Sequence, residues 1–569
     1  MEAAGMAAEE DRWPRLPRME ERSKPIDWSP LRAAGSGCPV WRRGALASLY
    51  ISADRDEYTC DAEGNAVYLV SNAEMRRLDR YTIEEVGIPA IVLMENAAAG
   101  VAEWAAELTP EGGRIVVAAG RGNNGGDGLA AARRLASRGF SVDVWLGTSP
   151  DRLTGEAAIQ WRALQHWPVN VHVDDGSSDW RELWEGADLI VDALLGTGLS
   201  RPVDIRLGRV IDGINASNRP VLAVDLPSGL DGDTGRIMGT AIRARWTLCL
   251  GWAKRGLVMG EGPRCAGAWR VWDIGLAPEG PERLGANRVR LIQEEEVRTW
   301  MPRRPYDANK GHYGHLLVMA GHGRMWGAAL MSAVSAYRAG AGLVTVAVRG
   351  DAVPPWLGIH PELMTAFWNL PEEAPALVEG KQALVVGPGL VRFDGDVPWL
   401  KALLGKVRCA VVDAGALEIW KEAIEGGWRP AARVVVTPHP KEMARLTGLD
   451  TAEVQADRIE VARRVARSCG CTVVLKGAYT VVAGEDEEVW VNPTGNPGMA
   501  TGGTGDVLAG VIGSLLAQGL PPGRAAAAGV YLHGLAGDLA AQAEGLASMV
   551  ATDVIAQLGP AIRQVVERG

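Results

Sequence analysis

The sequence predicts an α/β protein of two domains, each a three-layer unit with a mostly parallel sheet covered by helices on both faces. Three observations carry this expectation. Short Val/Ile/Leu runs alternate with amphipathic helical stretches, the pattern of strands buried on both sides. The alternation occurs twice, and residues 277–312 interrupt it. The chain has 569 residues, more than one hydrophobic core accommodates.

Taken in order, residues 1–66 are mixed-charge, aperiodic and punctuated by Pro14, Pro17, Pro25, Pro30 and Pro39, and read as a disordered tail or a mis-assigned start. From Val67 the pattern is regular. SNAEMRRLDRYTIEEVG is a helix capped by Ser71 or Asn72 with Glu74 in its first turn. IPAIVLMENAAAGVAEWAAEL is a second helix. Strands and helices then alternate through RIVVAAG, GLAAARRLASRG, SVDVWLG, EAAIQWRALQHW, ADLIVDALLG, RPVLAVDLPSG and WTLCLGW. The second set runs HLLVMAG, GAALMSAVSAYRAG, LVTVAV, QALVVGPG, CAVVDAGAL, RVVVTPHP and TVVLKGAYTVVAG, with two late helices. The expected domains are 67–280 and 312–569, with 281–311 as linker and first strand region.

Bulk properties narrow the class. A net charge of −10 favours neither nucleic acid nor an anionic membrane as partner. No apolar run is long enough for a membrane span, and the N-terminus lacks a secretory apolar core, so a soluble cytoplasmic protein is expected. The seven cysteines (38, 60, 249, 265, 409, 469 and 471) have no metal-ligand spacing, in keeping with a reduced compartment.

Two segments carry chemistry. ATGGTGDVLAG, residues 500–510, is a Gly-rich turn running into Asp506 at the start of an apolar helix. Free backbone N–H groups at a helix start hold anionic oxygens, and a carboxylate placed there suits a base that deprotonates a hydroxyl beside a phosphoryl group. Upstream, RGNNGGDG follows a strand and opens a helix, with Asn123, Asn124 and Asp127 in or beside the turn. Asp127 is expected at the helix entry. Asp192, Asp225 and Ser228 end later strands, and Gly196, Thr197 and Gly198 form another phosphate-type turn. Ligands of open parallel sheets bind at the carboxyl ends of strands, so these residues are expected to converge. An amide, a carboxylate and a hydroxyl together suit a hard cation.

GNNGGDG, VDALLGTGL and VDLPSGLDGDTG together resemble NAD(P)H-hydrate epimerase. NKGHYGHLLVMAG, TPHPKEMARLTG, LKGAYT and NPGMATGGTGDVLAGVIG resemble the ribokinase-like NAD(P)H-hydrate dehydratase. The order of the halves matches the bifunctional repair family, over roughly residues 67–569. The resemblance implies a Rossmann-like first domain and a ribokinase-like second. In the epimerase it implies hydrate binding by Asn123, Asn124, Gly125, Gly126, Asp127, Gly196, Thr197, Gly198, Leu199, Ser200, Arg201, Pro202 and Asp225. It implies potassium ligation by Asn124, Asp192 and Ser228. In the dehydratase it implies hydrate contacts at Ala328, Gly389, His439 and Asp506, and nucleotide contacts at Lys476, Gly477, Ala478, Tyr479, Thr480 and Gly505. Catalysis falls to Asp225 and Asp506, with ADP as phosphoryl donor, Mg²⁺ at the second site, the hydrates of NADH and NADPH as substrates, and a homo-oligomer expected. Three departures stand out: AGHGRMWGAA differs from the usual stretch near Ala328, Gly415 replaces a second Asp, and Lys441 stands where Gly is common. A small-molecule kinase that releases a stable phosphate ester is the competing enzyme reading. A nucleotide-binding module with an inactive first domain is the other alternative.

Overall fold

Seven strands of the first half assemble into one parallel sheet in the computed structural model, which describes residues 67–176, 178–277, 289–350 and 359–567. Residues 1–66, expected to be a tail, lie outside the described residues. The strands of this half are β1 (Leu69–Val70), β2 (Arg114–Ala119), β3 (Ser141–Leu146), β4 (Asn170–Val173), β5 (Leu189–Ala193), β6 (Val221–Val224), β7 (Trp246–Leu250), β8 (Ala253–Lys254) and β9 (Ala268–Trp272), of which β1 and β8 pair in a sheet of their own. The sheet order is β4-β3-β2-β5-β6-β7-β9, and every pairing is parallel. Its central strands are buried on both faces, as their continuous apolar runs require. The short β4 and β9 at the edges carry mixed residues, and their half-buried pattern hid them in the sequence.

The second half holds β10 (Val289–Leu291), β11 (His315–Met319), β12 (Leu343–Arg349), β13 (Met364–Trp368), β14 (Ala383–Val386), β15 (Cys409–Val412), β16 (Arg433–Val436), β17 (Thr472–Leu475), β18 (Val481–Ala483) and β19 (Val489–Val491). They form a ten-stranded sheet in the order β10-β19-β18-β17-β16-β15-β14-β11-β12-β13. The expected parallel order holds from β13 to β17, whereas β17-β18-β19 is antiparallel. TVVLKGAYTVVAG is thus not one strand: the chain turns at 476–480 and returns as β18.

The helix Asn72–Arg80 begins at Ser71, whose hydroxyl accepts from Glu74 N while Glu74 accepts from Ser71 N at 2.8 Å, a complete capping box. Residues 67–70 tie the halves together. β1 pairs with β8, Tyr68 bridges Arg290, and Leu291 N donates to the Val67 carbonyl at 3.0 Å. One apolar cluster therefore runs from Val67, Leu69 and Leu257 through Val289 and Leu291 under the ten-stranded sheet. The five described cysteines are free thiols.

Candidate active sites

In the first sheet the strand order reverses between β2 and β5, and at that crevice the carboxyl ends open a cavity of about 1070 Å³. Asn123, Asn124, Asp127, Asp225 and the loop Gly196–Pro202 all line it. Gly125 and Gly126 are not among its lining residues. A Cβ on Gly125 would fall 1.9 Å from the Gly120 carbonyl oxygen, and one on Gly126 2.6 Å from Met94 Cε, so these glycines let the helix approach its neighbours. The expectation for Asp127 is also corrected. The helix starts at Asn123, because the Gly-rich run winds as its first turn, and Asp127 lies one turn in, buried.

Asp192 and Ser228 sit beside the cavity and touch each other. Asp192 is fully buried and accepts from Ser228 N at 2.8 Å, Ser228 Oγ at 2.6 Å and Leu194 N at 3.2 Å. Burial raises its carboxyl to about 6, against the pull of these hydrogen bonds. Asn124 Nδ2 donates to the Leu195 carbonyl at 3.0 Å, and Ser228 Oγ lies 3.1 Å from that same oxygen. Amide, carboxylate, hydroxyl and one backbone carbonyl thus gather around the 194–196 turn.

Asp225 adopts φ 67°, accepts from Leu250 N at 3.2 Å, and is ion-paired with Lys254. Lys254 Nζ also donates to the Leu250 carbonyl at 2.9 Å, and its side chain is 0% exposed. Asp79 lines the same cavity. Burial raises Asp79 to about 6; Lys254 opposes the rise and Asp225 adds to it. Burial likewise pushes Asp127 well above the usual carboxylate range, with Asp225 and Asp79 adding to the effect. Sequence reasoning missed Lys254 and Asp79. Each looks like an ordinary surface charge, and the only signal is that Asp79 follows the apolar positions Met75 and Leu78 on one helical face.

The second site gathers at the carboxyl ends of β11 and β14 to β17. Gly503 caps the helix Thr504–Ala517, and Asp506 occupies its first turn. The Asp506 backbone carbonyl accepts from Ser332 Oγ at 2.9 Å, which ties this helix to Trp326–Arg338. Lys476 Nζ is 2.8 Å from Asp413 and 3.9 Å from Glu442, and it would lie 3.4 Å from a Cβ at Gly505. Burial works against the Lys476 ammonium, yet Asp413 and Glu442 outweigh it and hold the pKa above its ordinary value. Burial raises Asp506 to about 6, with Asp413 adding and Lys476 opposing.

The loop Lys476–Thr480 is organised from beneath by Arg458, another residue missed in the sequence. Its guanidinium donates to the carbonyls of Ala478 at 2.6 Å, Leu475 at 2.9 Å, Lys476 at 3.2 Å and Tyr479 at 3.4 Å. Within the loop, Thr480 Oγ1 donates to the Gly477 carbonyl at 2.8 Å. Ala328 and Gly389 meet, since a Cβ on Gly389 would lie 3.0 Å from the Ala328 Cβ. His439 caps the helix Pro440–Thr447: Nδ1 accepts from Lys441 N at 3.1 Å and Glu442 N at 3.2 Å. Its Nε2 lies 3.5 Å from Glu442 Oε1. At Gly415 a Cβ would fall 2.1 Å from the Leu390 carbonyl oxygen, so this backbone has no room for the second Asp that the family pattern carries.

These features define a class: a two-site α/β enzyme with an acid-and-lysine cavity in one half and a Gly-rich helix start beside a lysine in the other. Residues 90–256 match the family described as YjeF-related protein N-terminus, and residues 316–559 match the NAD(P)H-hydrate dehydratase family. The chain is 42% identical over 530 residues to the bifunctional NAD(P)H-hydrate repair enzyme of Moorella thermoacetica, covering 88% of this chain and 98% of that protein. The enzyme of the same description from Escherichia coli is 36% identical over 85% of this chain and 92% of its own length. A crystal structure of the ADP/ATP-dependent NAD(P)H-hydrate dehydratase from Bacillus subtilis, co-crystallised with ATP/Mg²⁺, aligns with 48% of this chain and 98% of its own, at 31% identity and a TM-score of 0.45. The chain belongs to the bifunctional NAD(P)H-hydrate repair enzyme family.

Proposed function

We propose that the protein repairs hydrated NADH and NADPH: an isomerase site in the first half interconverts the R and S hydrates, and a lyase site in the second dehydrates the S form at the expense of ADP. What carries this assignment is the meeting of Asp506, Lys476 and Asp413 at a Gly-rich helix start. It pairs a base with a lysine and free N–H groups where charge develops during phosphoryl transfer.

The chemistry follows from the hydrate, whose hydroxylated C6 adjoins the ring nitrogen. Hydroxide leaves poorly and phosphate well. Asp506 takes the hydroxyl proton as the oxygen attacks the terminal phosphoryl of ADP, releasing AMP. The nitrogen lone pair then expels phosphate, and loss of a proton from C5 forms the C5–C6 double bond that restores the dihydronicotinamide. Lys476 and the N–H groups of the turn offset the phosphoryl charge, and Arg458 keeps the 476–480 loop in shape for the nucleotide. Hydrate contacts at Ala328, Gly389 and His439, and the choice of ADP over ATP, rest on family resemblance.

At the first site Asp225 is the base, ion-paired with Lys254. The oxygens of Asn124, Asp192, Ser228 and Leu195 fit a potassium ion, which would offset the charge of Asp192 beside the 194–196 turn. Among the described residues no group of three or more His, Cys, Asp or Glu side chains could hold a metal. Mg²⁺ would therefore be held largely by the nucleotide phosphates, as is usual for this ion. Among the described residues no helix is long and apolar enough to cross a membrane.

Purified protein is incubated with mixed hydrate epimers, Mg²⁺ and either ADP or ATP, and the reduced-nicotinamide absorbance is followed. Full conversion of both epimers, faster with ADP, is expected. A stable phosphorylated product without that absorbance refutes the dehydratase reading, and a faster rate with ATP refutes the donor choice.

A further inference from the structure

The helix Asn72–Arg80 lies ahead of the segment matched by the epimerase-type family model, which begins at residue 90. It nevertheless forms a wall of the first cavity. Met75, Arg76 and Asp79 line it at the spacing of one helical face, and Ile83 of the following π-turn Tyr81–Glu85 joins them. The helix is anchored to the catalytic strand end. Glu74 pairs with Arg255 at 2.7 Å, next to Lys254, and Asn72 N donates to Asp233. Asp79 thereby faces the same space as Asp225, Asp127 and Lys254, yet it makes no ion pair within 4 Å among the described residues.

We propose that Asp79 is the proton donor of the epimerase site, working opposite a base, Asp225, that is ion-paired with Lys254. The assignment rests on the epimerase reading above and extends it. The two carboxyls share one cavity but not one environment. Asp225 is ion-paired with Lys254, while Asp79 feels that lysine only at a distance, and burial, with Asp225 adding, outweighs it. A carboxyl with a pKa near 6 retains a protonated fraction close to neutrality, and such separation of two acids by environment marks an acid–base pair.

The step balances without an added reactant. Asp79 gives its proton to the C6 hydroxyl, the C6–O bond breaks, the ring nitrogen lone pair forms a C6–N double bond, and water leaves. Water then adds to the other face of C6, electrons return to nitrogen, and the added water loses its proton to Asp225. Proton transfer from Asp225 to Asp79 through cavity water restores the starting state.

The test uses the full chain with Asp79→Asn and Asp79→Glu. Epimer interconversion is followed by chromatography, and dehydration of pure S hydrate with ADP is followed in parallel. Asp79→Asn is expected to lower kcat for interconversion by ~10²-fold or more with KM nearly unchanged, and Asp79→Glu to recover part of it. Dehydration of the S hydrate should not change in either variant. An Asn variant that keeps more than about a tenth of wild-type kcat, above the range of a lost acid, overturns the assignment. So does a loss confined to KM, or a matching loss of dehydration, which would make Asp79 structural. A wild-type chain that fails to interconvert the epimers overturns the epimerase reading itself, and the assignment with it.

Discussion

Replacing Asp506 by Asn separates its chemical role from its structural one. The carboxyl lies in the first turn of Thr504–Ala517, and burial lifts it from 3.8 to about 6. That difference makes the charged form less stable in the folded chain by ~3 kcal/mol before solvent screening. Because the folded value lies above the unfolded one, the penalty is complete above about pH 6 and disappears as pH falls toward 3.8. Asn carries no charge at any pH and removes it, so at neutral pH the variant should melt no lower than the wild type. Activity should move the other way. Loss of a general base costs ~10²–10⁴-fold in rate. Wild-type dehydration should also fall as pH drops through about 6 and the base is protonated, whereas the residual rate of the variant should lack that dependence. Stopped assays of reduced-nicotinamide formation with ADP and Mg²⁺, beside thermal melts at two pH values, read both effects. A variant with more than about a tenth of wild-type turnover would show that Asp506 is not the base.

Three further outcomes follow from the contacts described above. Asp225→Asn should abolish interconversion and also lower Tm, because it strands a fully buried Lys254, a defect worth ~3–5 kcal/mol; adding Lys254→Met should restore the melt but not the activity, and an unchanged melt in the single variant would contradict the ion pair. Ser228→Ala removes an oxygen from the Asn124–Asp192–Leu195 cluster, so epimerisation should need more potassium for half-maximal rate, and a salt titration with no shift would exclude this site. Arg458→Met takes away the donor that holds four carbonyls of the 475–479 segment, so calorimetry should show weaker nucleotide binding while epimerisation persists.

Much of this was written in local pattern. Apolar runs marked nearly every central strand, because a strand buried on both faces needs apolar residues at every position. The capping box at Ser71 and the Gly-rich start before Asp506 were legible for the same reason: backbone groups at a helix end must be satisfied by residues a few positions away. The edge strands β4, β9 and β13 were not legible, since a half-buried edge tolerates mixed residues. The antiparallel return at 476–480 looked like a continuous strand because β17 and β18 are equally apolar and direction leaves no mark on composition.

The sequence by itself determined the α/β class, the two sets of strands and helices, and the residues poised at strand ends, all of which depend on neighbours close in the chain. Tertiary structure alone decided the partners of those residues. Lys254 meets Asp225 across 29 positions, Lys476 meets Asp413 across 63, and Glu74 meets Arg255 across 181. A lysine written in a sequence looks solvated; only the strands that close around Lys254 remove it from water and force it to find a carboxylate. The helix carrying Asp79 becomes a cavity wall for the same physical reason. Burial and opposite charge act through space, and the chain path brings that space together.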